Sequence, residues 1–343
     1  MTENNTLENF SHIKMQVETH IKSPIRTSES LGGGFNNSIF KIETENNQIF
    51  TLKWYFKDDR DRLKREFSSF EYLRSIGENR LPTPFYKDDE IGYALYSFEE
   101  GSVRTGSELS YKDLDQFLSF IGRLQALQPE SVIKKFDNAV LSTRSIEQRH
   151  SSIMLKTQKF IDFASTNKVD SQVLEFIDDR QVLQKMSSGM QKIKDASNGD
   201  FSTEIDPSLV RLSPVDFGPH NALFKKHGEI CFLDFEYFGW DDPIKIVANF
   251  VTHEGTFGLP KDKISYFIEK YQKQSTFSKK MLNRLNLFVP LETFNWIGIF
   301  LWSLTPEKMN SRKFSNPNFD EKKYTQYLID RIGARLDQLD NFI

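Results

Sequence analysis

The stretch that constrains this chain most runs from Leu212 to Phe250. It reads L-S-P-V-D-F-G-P-H-N-A-L-F, then K-K-H-G-E-I, then C-F-L-D-F-E-Y-F-G-W-D-D-P-I-K-I-V-A-N-F. Gly218 and Pro219 make P-V-D-F-G-P-H-N a loop rather than a helix. Leu223–Phe224 and Ile230–Phe235 are apolar on either side of K-K-H-G-E, which predicts a hairpin. Such a hairpin returns Asp234 to the side of Asn221, so that two metal-binding oxygens converge. Asp216, Asn221 and Asp234 then stand in the order used by phosphoryl-transfer sites. There one Asp orients or deprotonates a hydroxyl, an Asn holds a metal and a second Asp holds the bridging metals. Mg²⁺ suits that set, since it takes one or two protein carboxylates plus substrate phosphates. Singly, the three are an ordinary turn Asp, cap Asn and strand-end Asp; the constraint lies in their order.

Upstream segments bear on the same chemistry. Residues 1–30 are polar with apolar positions at Phe10, Ile13, Met15 and Val17, which predicts a short helix leading into a strand. L-G-G-G-F-N-N-S-I-F follows, where Gly32, Gly33 and Gly34 leave backbone N–H groups free to cover phosphates. By itself such a turn is an ordinary loop. Ile39, Phe40 and Ile42 continue as a strand, E-N-N-Q supplies turn chemistry, and Ile49 to Tyr55 form a second strand. Lys53 lies inside that strand. A helix follows, with Leu63, Phe67, Phe70 and Leu73 on its buried face and Gly77 as its stop. Glu66 rides beside that face, 13 residues after Lys53. An ion pair between them would fix the lysine where it reaches α- and β-phosphates. After Pro82 and Pro84, strand-like residues 91–98 run into Glu99-Glu100-Gly101-Ser102, where a β-rich lobe would hand over to a helical one.

The remainder is helical in pattern. Leu114, Phe117, Leu118, Ile121, Leu124 and Leu127 line one face between Tyr111 and Gln128. Residues of about 140 to 205 are helical but more polar, with His150 expected at the surface, and 261–343 read as several helices. Phe288 to Leu304 reads as a buried core helix, because a stacking platform for bases would interleave Lys or Arg. The apolar share of 38% is low, but 31 Phe supply large burial per residue, and 343 residues allow two lobes. A net charge of −3 provides no electrostatic footprint for nucleic acid. The longest apolar run, Trp296 to Trp302, is far short of a membrane span, and the N-terminus has no signal pattern. The lone cysteine, Cys231, excludes internal disulfides and reads as a buried packing thiol. A soluble, cytoplasmic protein is expected, without a nucleic-acid or membrane partner. The P-loop pattern G-x-x-x-x-G-K-[S/T] is absent.

With these motifs in this order, the chain resembles the aminoglycoside/choline-kinase-like phosphotransferases over most of residues 30–250. These are small-molecule kinases with a protein-kinase-like fold. The resemblance implies an α+β, bilobal architecture. A small β-rich N-terminal lobe over residues 1–98 would bind nucleotide. A larger, mainly helical C-terminal lobe over 99–343 would carry the catalytic loop and the acceptor site, with a helical insert at about 140–205. Asp216 would be the catalytic Asp, Asn221 and Asp234 would hold Mg²⁺, and Lys53 paired with Glu66 would position the phosphates of ATP or GTP. The backbone of Gly33, Gly34, Phe35, Asn36 and Asn37 would cover those phosphates. Tyr96 to Glu100, with Phe98 and Glu99, would be the hinge beside the adenine. The implied activity is transfer of a γ-phosphate to an alcohol group of a sugar, amino sugar, amino alcohol or aminoglycoside bound between the insert and the C-terminal helices.

The chain departs from the family pattern at three places. Pro214 replaces a His that is mainly structural, Gly218 replaces a second His while His220 falls beside Asn221, and Ile246 replaces an Asp that braces the loop. His220 reads as an aid to the acceptor or as a loop cap. Glu236, Asp241 and Asp242 read as a site for a cationic acceptor or as loop structure. The same core would serve a protein kinase, and the departures leave room for a nucleotide-binding pseudokinase or scaffold. Transfer only to a polypeptide would mark the former, and nucleotide binding without turnover the latter.

Overall fold

The computed structural model describes residues 13–31, 37–127, 135–166, 168–315 and 319–339. Its contacts gather into two units: Met1–Leu141 with Arg211–Trp240 and Gly255–Tyr271, and Ser142–Val210 with Asp241–Glu254 and Gln272–Ile343.

In the first unit a helix over residues 13–21 (α1) leads into β1 (Ile25–Ser30), as the polar N-terminal pattern predicts. β2 (Asn37–Thr44) and β3 (Ile49–Tyr55) form the expected hairpin, with Ile39 opposite Lys53 and Ile42 opposite Phe50. Its turn closes because Asn47 takes a φ of 59°, which a short polar side chain tolerates, and Thr44 N donates to Gln48 O at 3.0 Å. β4 (Pro84–Asp88) and β5 (Tyr93–Ser97) complete a five-stranded antiparallel sheet in the order β1-β2-β3-β5-β4. The two-residue period sends Phe50 and Leu52 into a cluster with Ile13, Val17, Phe40, Ile42 and Leu95. It therefore sends Lys53 and Tyr55 to the other face.

Helix α2 (Arg62–Ser75) buries Leu63, Phe67, Phe70 and Leu73, as their spacing predicts. It stops at Gly77, whose φ of 84° lets its N–H reach Arg74 O while Glu78 N reaches Leu73 O, each at 2.9 Å. α3 (Tyr111–Gln125) begins at Ser110, whose hydroxyl accepts from Asp113 N while the Asp113 carboxylate accepts from Ser110 N. Its Phe117 and Phe120 form an aromatic core with Phe217 and Phe232, at centroid distances of 4.4 to 5.6 Å. Phe235 joins it, 5.8 Å from Phe120 and 5.2 Å from Phe70. The K-K-H-G-E turn joins β6 (Ala222–Phe224) to β7 (Ile230–Phe232), with Leu223 opposite Cys231. Cys231 is the expected packing thiol: burial pushes it up to about 12, which leaves it inert at neutral pH.

The second unit is helical. α4 (Ile146–Ala164), α5 (Ser171–Asp179) and α6 (Val182–Ala196) account for the polar helical stretch, and α7 (Pro243–Thr252) follows. Helix α8 (Leu285–Ser303) packs against α4, α6, α7 and α9 (Glu321–Leu339). It is apolar on every side, as a helix surrounded by others must be. The run Lys279–Ser303 has the length and composition of a membrane span, longer than the sequence run suggests, yet 72% of its most apolar window is buried inside the protein. It is the core helix that Phe288–Leu304 predicts.

Glu292 lies at the centre of that helix at 0% exposure. Arg149 of α4 meets it with a two-pronged bond, Nε to Oε1 at 2.7 Å and Nη2 to Oε2. Asn295 Nδ2 donates to Glu292 Oε2 at 3.4 Å, and Lys156 Nζ donates to Asn295 Oδ1 at 3.2 Å and to Ser152 Oγ at 3.0 Å. Burial, reinforced by the Arg149 charge, lowers Lys156 to about 8.

Two outcomes follow from this interior. Arg149→Met leaves the Glu292 carboxylate buried without its guanidinium and should cost about 3–5 kcal/mol in urea unfolding. The double variant Arg149→Met/Glu292→Met should recover much of that loss. For Lys156, the folded state holds its proton less tightly than the ordinary value of 10.5, so the unfolded chain binds more protons between about 8 and 10.5 and stability rises with pH there. Lys156→Met should flatten that rise in thermal melts; an unchanged slope contradicts the assignment.

Candidate active site

Three segments converge on Lys53. It sits in β3 at 5% exposure and donates to Glu66 Oε2 of α2 and to Asp234 Oδ1, each at 2.6 Å. Glu66, 3% exposed, also accepts from Tyr55 OH at 2.9 Å, and Tyr55 OH lies 2.8 Å from Tyr96 OH. Burial opposes the Lys53 charge, but the Asp234 and Glu66 carboxylates outweigh it and hold the ammonium above its ordinary range. Burial pushes Glu66 upward even against the Lys53 charge. The pair expected from a 13-residue spacing therefore exists, and Asp234 completes it. An ammonium has three donors. Two are engaged, which leaves one for a phosphate oxygen.

The loop before β6 is wound tightly. Pro214 O accepts from Asp216 N at 2.8 Å, which closes a γ-turn around Val215 at a φ of 67°. That is the rare, strained form of the turn, and a β-branched residue is a poor occupant of it. Ser213 Oγ accepts from Val215 N at 3.1 Å and helps to hold it. This is how the chain turns at Asp216 with a proline at position 214. Asp216 and Asp234 each precede a phenylalanine, Phe217 and Phe235, that is 1% exposed in the aromatic core. The two carboxylates themselves stay about one-third exposed, at 35% and 36%.

Asn221 Nδ2 donates to Asp216 O at 3.0 Å, and Asn221 O accepts from Leu233 N at 2.8 Å. The hairpin thus sets Asn221 beside the residue that precedes Asp234, as its pattern predicts. Asp234 itself takes a φ of 64°. For a divalent cation the donor set fits: the Asp234 carboxylate has one oxygen on Lys53, and the Asn221 amide has its nitrogen committed, so each offers a hard oxygen.

At the expected hinge, the Glu99 carboxylate is taken by Lys225 Nζ and Ser97 Oγ, each at 2.7 Å, and the Phe98 ring lies 5.1 Å from Lys41 Nζ. Any adenine contact at Glu99 therefore falls to its backbone. Gly33, Gly34, Phe35 and Asn36 lie outside the described residues. Asn37 opens β2 and donates from Nδ2 to Glu236 Oε2 at 2.6 Å.

The acidic residues after Asp234 are structural. Glu236 is buried against Arg62 Nη1, and Arg62 also reaches Asp58 at 3.1 Å. In the second unit, Asp241 accepts from Lys245 Nζ at 2.8 Å, and Asp242 accepts from Arg284 at 2.6 Å while capping α7. With every one of these carboxylates matched to a cation, the reading of them as a cationic-acceptor site is withdrawn. Ile246 is 2% exposed in that helix.

Sequence reasoning passed over three features. Tyr55 was recoverable, since it lies two residues after Lys53 on the same strand face. The Arg62–Glu236 pair joins residues 174 positions apart and leaves no local signal. His220 Nε2 lies 2.9 Å from Asp216 Oδ1, a contact that the loop sequence permits without specifying.

No protein-family model matches the chain, and no curated protein matches it in sequence. Solved structures match nearly all of it. Spectinomycin phosphotransferase APH(9)-Ia, in complex with ADP and spectinomycin, superposes with a TM-score of 0.65 at 15% identity, covering 95% of this chain and 98% of that one. APH(2″)-IIia, in complex with GDP and kanamycin, has a TM-score of 0.62 at 14% identity, with 95% and 99% covered. Choline kinase from Cryptosporidium parvum Iowa II has a TM-score of 0.57 at 14% identity, with 92% and 90% covered. The fold is therefore the bilobal, protein-kinase-like one of these small-molecule kinases, as the motif order predicts.

Removing the Lys53 ammonium leaves Glu66 buried near a second carboxylate. Lys53→Met should cost about 3–5 kcal/mol at pH 8. A carboxyl whose folded pKa is raised favours folding at low pH and loses that stability as pH rises through it. The variant's deficit in urea midpoint should thus shrink at pH 5; equal deficits at both values would count against the coupling.

Proposed function

We propose that this chain is a Mg²⁺-dependent small-molecule kinase that moves the γ-phosphoryl group of ATP or GTP to an alcohol group of a small hydroxylated acceptor. The observation that carries the reading is the meeting of Lys53, Glu66 and Asp234 around one buried ammonium, on a fold whose solved examples include aminoglycoside and choline kinases. Two solved structures of that fold hold ADP with spectinomycin and GDP with kanamycin, which supports a nucleotide donor and a small-molecule acceptor here.

In this mechanism Glu66 and Asp234 hold Lys53 extended, so its remaining N–H is aimed at the donor's phosphate oxygens without a search through rotamers. Asp216 accepts the hydrogen bond of the acceptor hydroxyl and takes its proton as the oxygen attacks. The oxygens of Asn221 and Asp234 would hold the metal, which when bound supplies neutralisation of phosphate charge. The γ-turn at Val215 restricts the backbone on which Asp216 sits, so its carboxylate is placed before the acceptor arrives. Tyr96 to Glu100 would receive the adenine or guanine through backbone groups. A nucleoside triphosphate donor would suit a cytoplasmic protein.

The test is Mg²⁺-dependent nucleotide turnover with a panel of sugars, amino sugars, amino alcohols and aminoglycosides. Asp216→Asn should lower turnover at least ~10²-fold, as loss of a general base does, while nucleotide affinity is retained. Full activity in that variant would remove Asp216 from the mechanism.

A further inference from the structure

Asp234 takes a φ of 64°, a left-handed backbone that a residue other than glycine holds at a cost. The kinase reading gives its carboxylate to Lys53 and a metal, and leaves open what keeps the backbone in that form. The next two residues supply the hold. The Phe235 ring is 1% exposed in the aromatic core, and Glu236 beyond it is 5% exposed. Both oxygens of Glu236 are engaged: Oε1 accepts from Arg62 Nη1, and Oε2 accepts from Asn37 Nδ2 at 2.6 Å. Three consecutive residues are thus pinned, to β3, to the aromatic core, and to α2 with β2.

The pins close on one another. Arg62 and Glu66 stand four positions apart on α2, so they are neighbours on one helix face. Glu66 reaches Asp234 through Lys53, and Arg62 reaches Glu236 directly. The contacts form a ring that runs from Arg62 through Glu236, Asp234, Lys53 and Glu66 and back along one helical turn. Arg62, 3% exposed, is itself set by Asp58 Oδ2, which accepts from its Nε at 3.3 Å and from its Nη2 at 3.1 Å. Asn37 joins from β2. It lies opposite Tyr55 as Ile39 lies opposite Lys53, so its side chain shares a sheet face with the lysine. A shift of α2 along its axis would draw on Asp234 and Glu236 together.

We infer that Glu236 is a positioning residue for the metal: its two oxygens are committed to Arg62 and Asn37, and through Arg62 it holds Asp234 in the backbone form that presents the carboxylate. This rests on the kinase reading above, which gives Asp234 to the metal. A merely structural ion pair is replaceable by two apolar side chains of similar volume. A positioning pair is not, because apolar side chains pack without fixing a direction.

The experiment uses the 343-residue chain with Mn²⁺ and ADP as the probe, binding being read by electron paramagnetic resonance and folding by thermal melts. Arg62→Met/Glu236→Met should melt close to the unsubstituted chain yet bind Mn²⁺ about 10- to 100-fold more weakly, the range for losing a residue that orients a metal ligand. Arg62→Met alone should also weaken binding, whereas a Glu236 that acted on the metal by its own charge would bind more tightly once unmatched. Glu236→Gln keeps the length and an oxygen for Arg62, so it should recover most of what Glu236→Met loses. A folded double variant with unchanged Mn²⁺ affinity overturns the proposal. So does tighter binding in Arg62→Met, or a Glu236→Gln variant as weak as Glu236→Met. One readout needs no variant: Mn²⁺ with ADP should slow hydrogen exchange in the first turns of α2 in the unsubstituted chain, and unchanged exchange there also overturns the proposal. Binding of Mn²⁺ and ADP without turnover of any acceptor removes the kinase reading and leaves the ring standing. A chain that binds neither overturns both.

Discussion

A buried ammonium between two carboxylates is the contact on which the first unit is built. Lys53 would be costly to bury alone, and so would Glu66; together with Asp234 they offset one another. The three residues come from a strand, a helix and the segment after a hairpin, so the contact forms only when all three elements are in register. Tyr55 OH adds a hydrogen bond to the Glu66 carboxylate and is itself met by Tyr96 OH. A half-assembled version would leave a buried charge unmatched, which makes this arrangement specific as well as stabilising.

The aromatic core does the complementary task of aiming. Phe217 and Phe235 are locked among Phe117, Phe120 and Phe232, and each follows an Asp by one residue. Burial of the ring directs the preceding carboxylate away from the core. The large number of phenylalanines thereby acquires a local purpose: rigid rings with two torsions each hold a loop that carries strain at Val215 and a left-handed backbone at Asp234. The strain at Val215 stands next to Pro214, and the loop geometry is reached here by a γ-turn.

Much of this was legible in the chain. The order of the Gly-rich turn, Lys53, Glu66, Asp216, Asn221 and Asp234 predicted the fold, because each is tied to a local element with its own period or turn chemistry. The hairpin that returns Asp234 toward Asn221 was readable from apolar runs around K-K-H-G-E. Glu236, Asp241 and Asp242 were not readable in the same way. A run of acids says only that charge is present; whether it is spent depends on Arg62, Lys245 and Arg284, and two of these lie far off in sequence. His220 belongs to the same class, since a loop histidine beside an aspartate contacts it only if the turn angles agree and the space behind the ring is closed.

The sequence by itself determined the element types, the order of Asp216, Asn221 and Asp234 and the lysine–glutamate pairing, because hydrophobic period, turn residues and spacing are properties of the local chain. Tertiary structure alone decided which charges are free and which are matched, and which atoms of Asp216 are held. Those questions turn on distances between side chains brought together by packing, with Lys53 and Asp234 separated by 181 positions and His220 packed closely against Gly255. No local pattern encodes such meetings; they follow from close packing, which brings the partners together and excludes the water that would otherwise satisfy them.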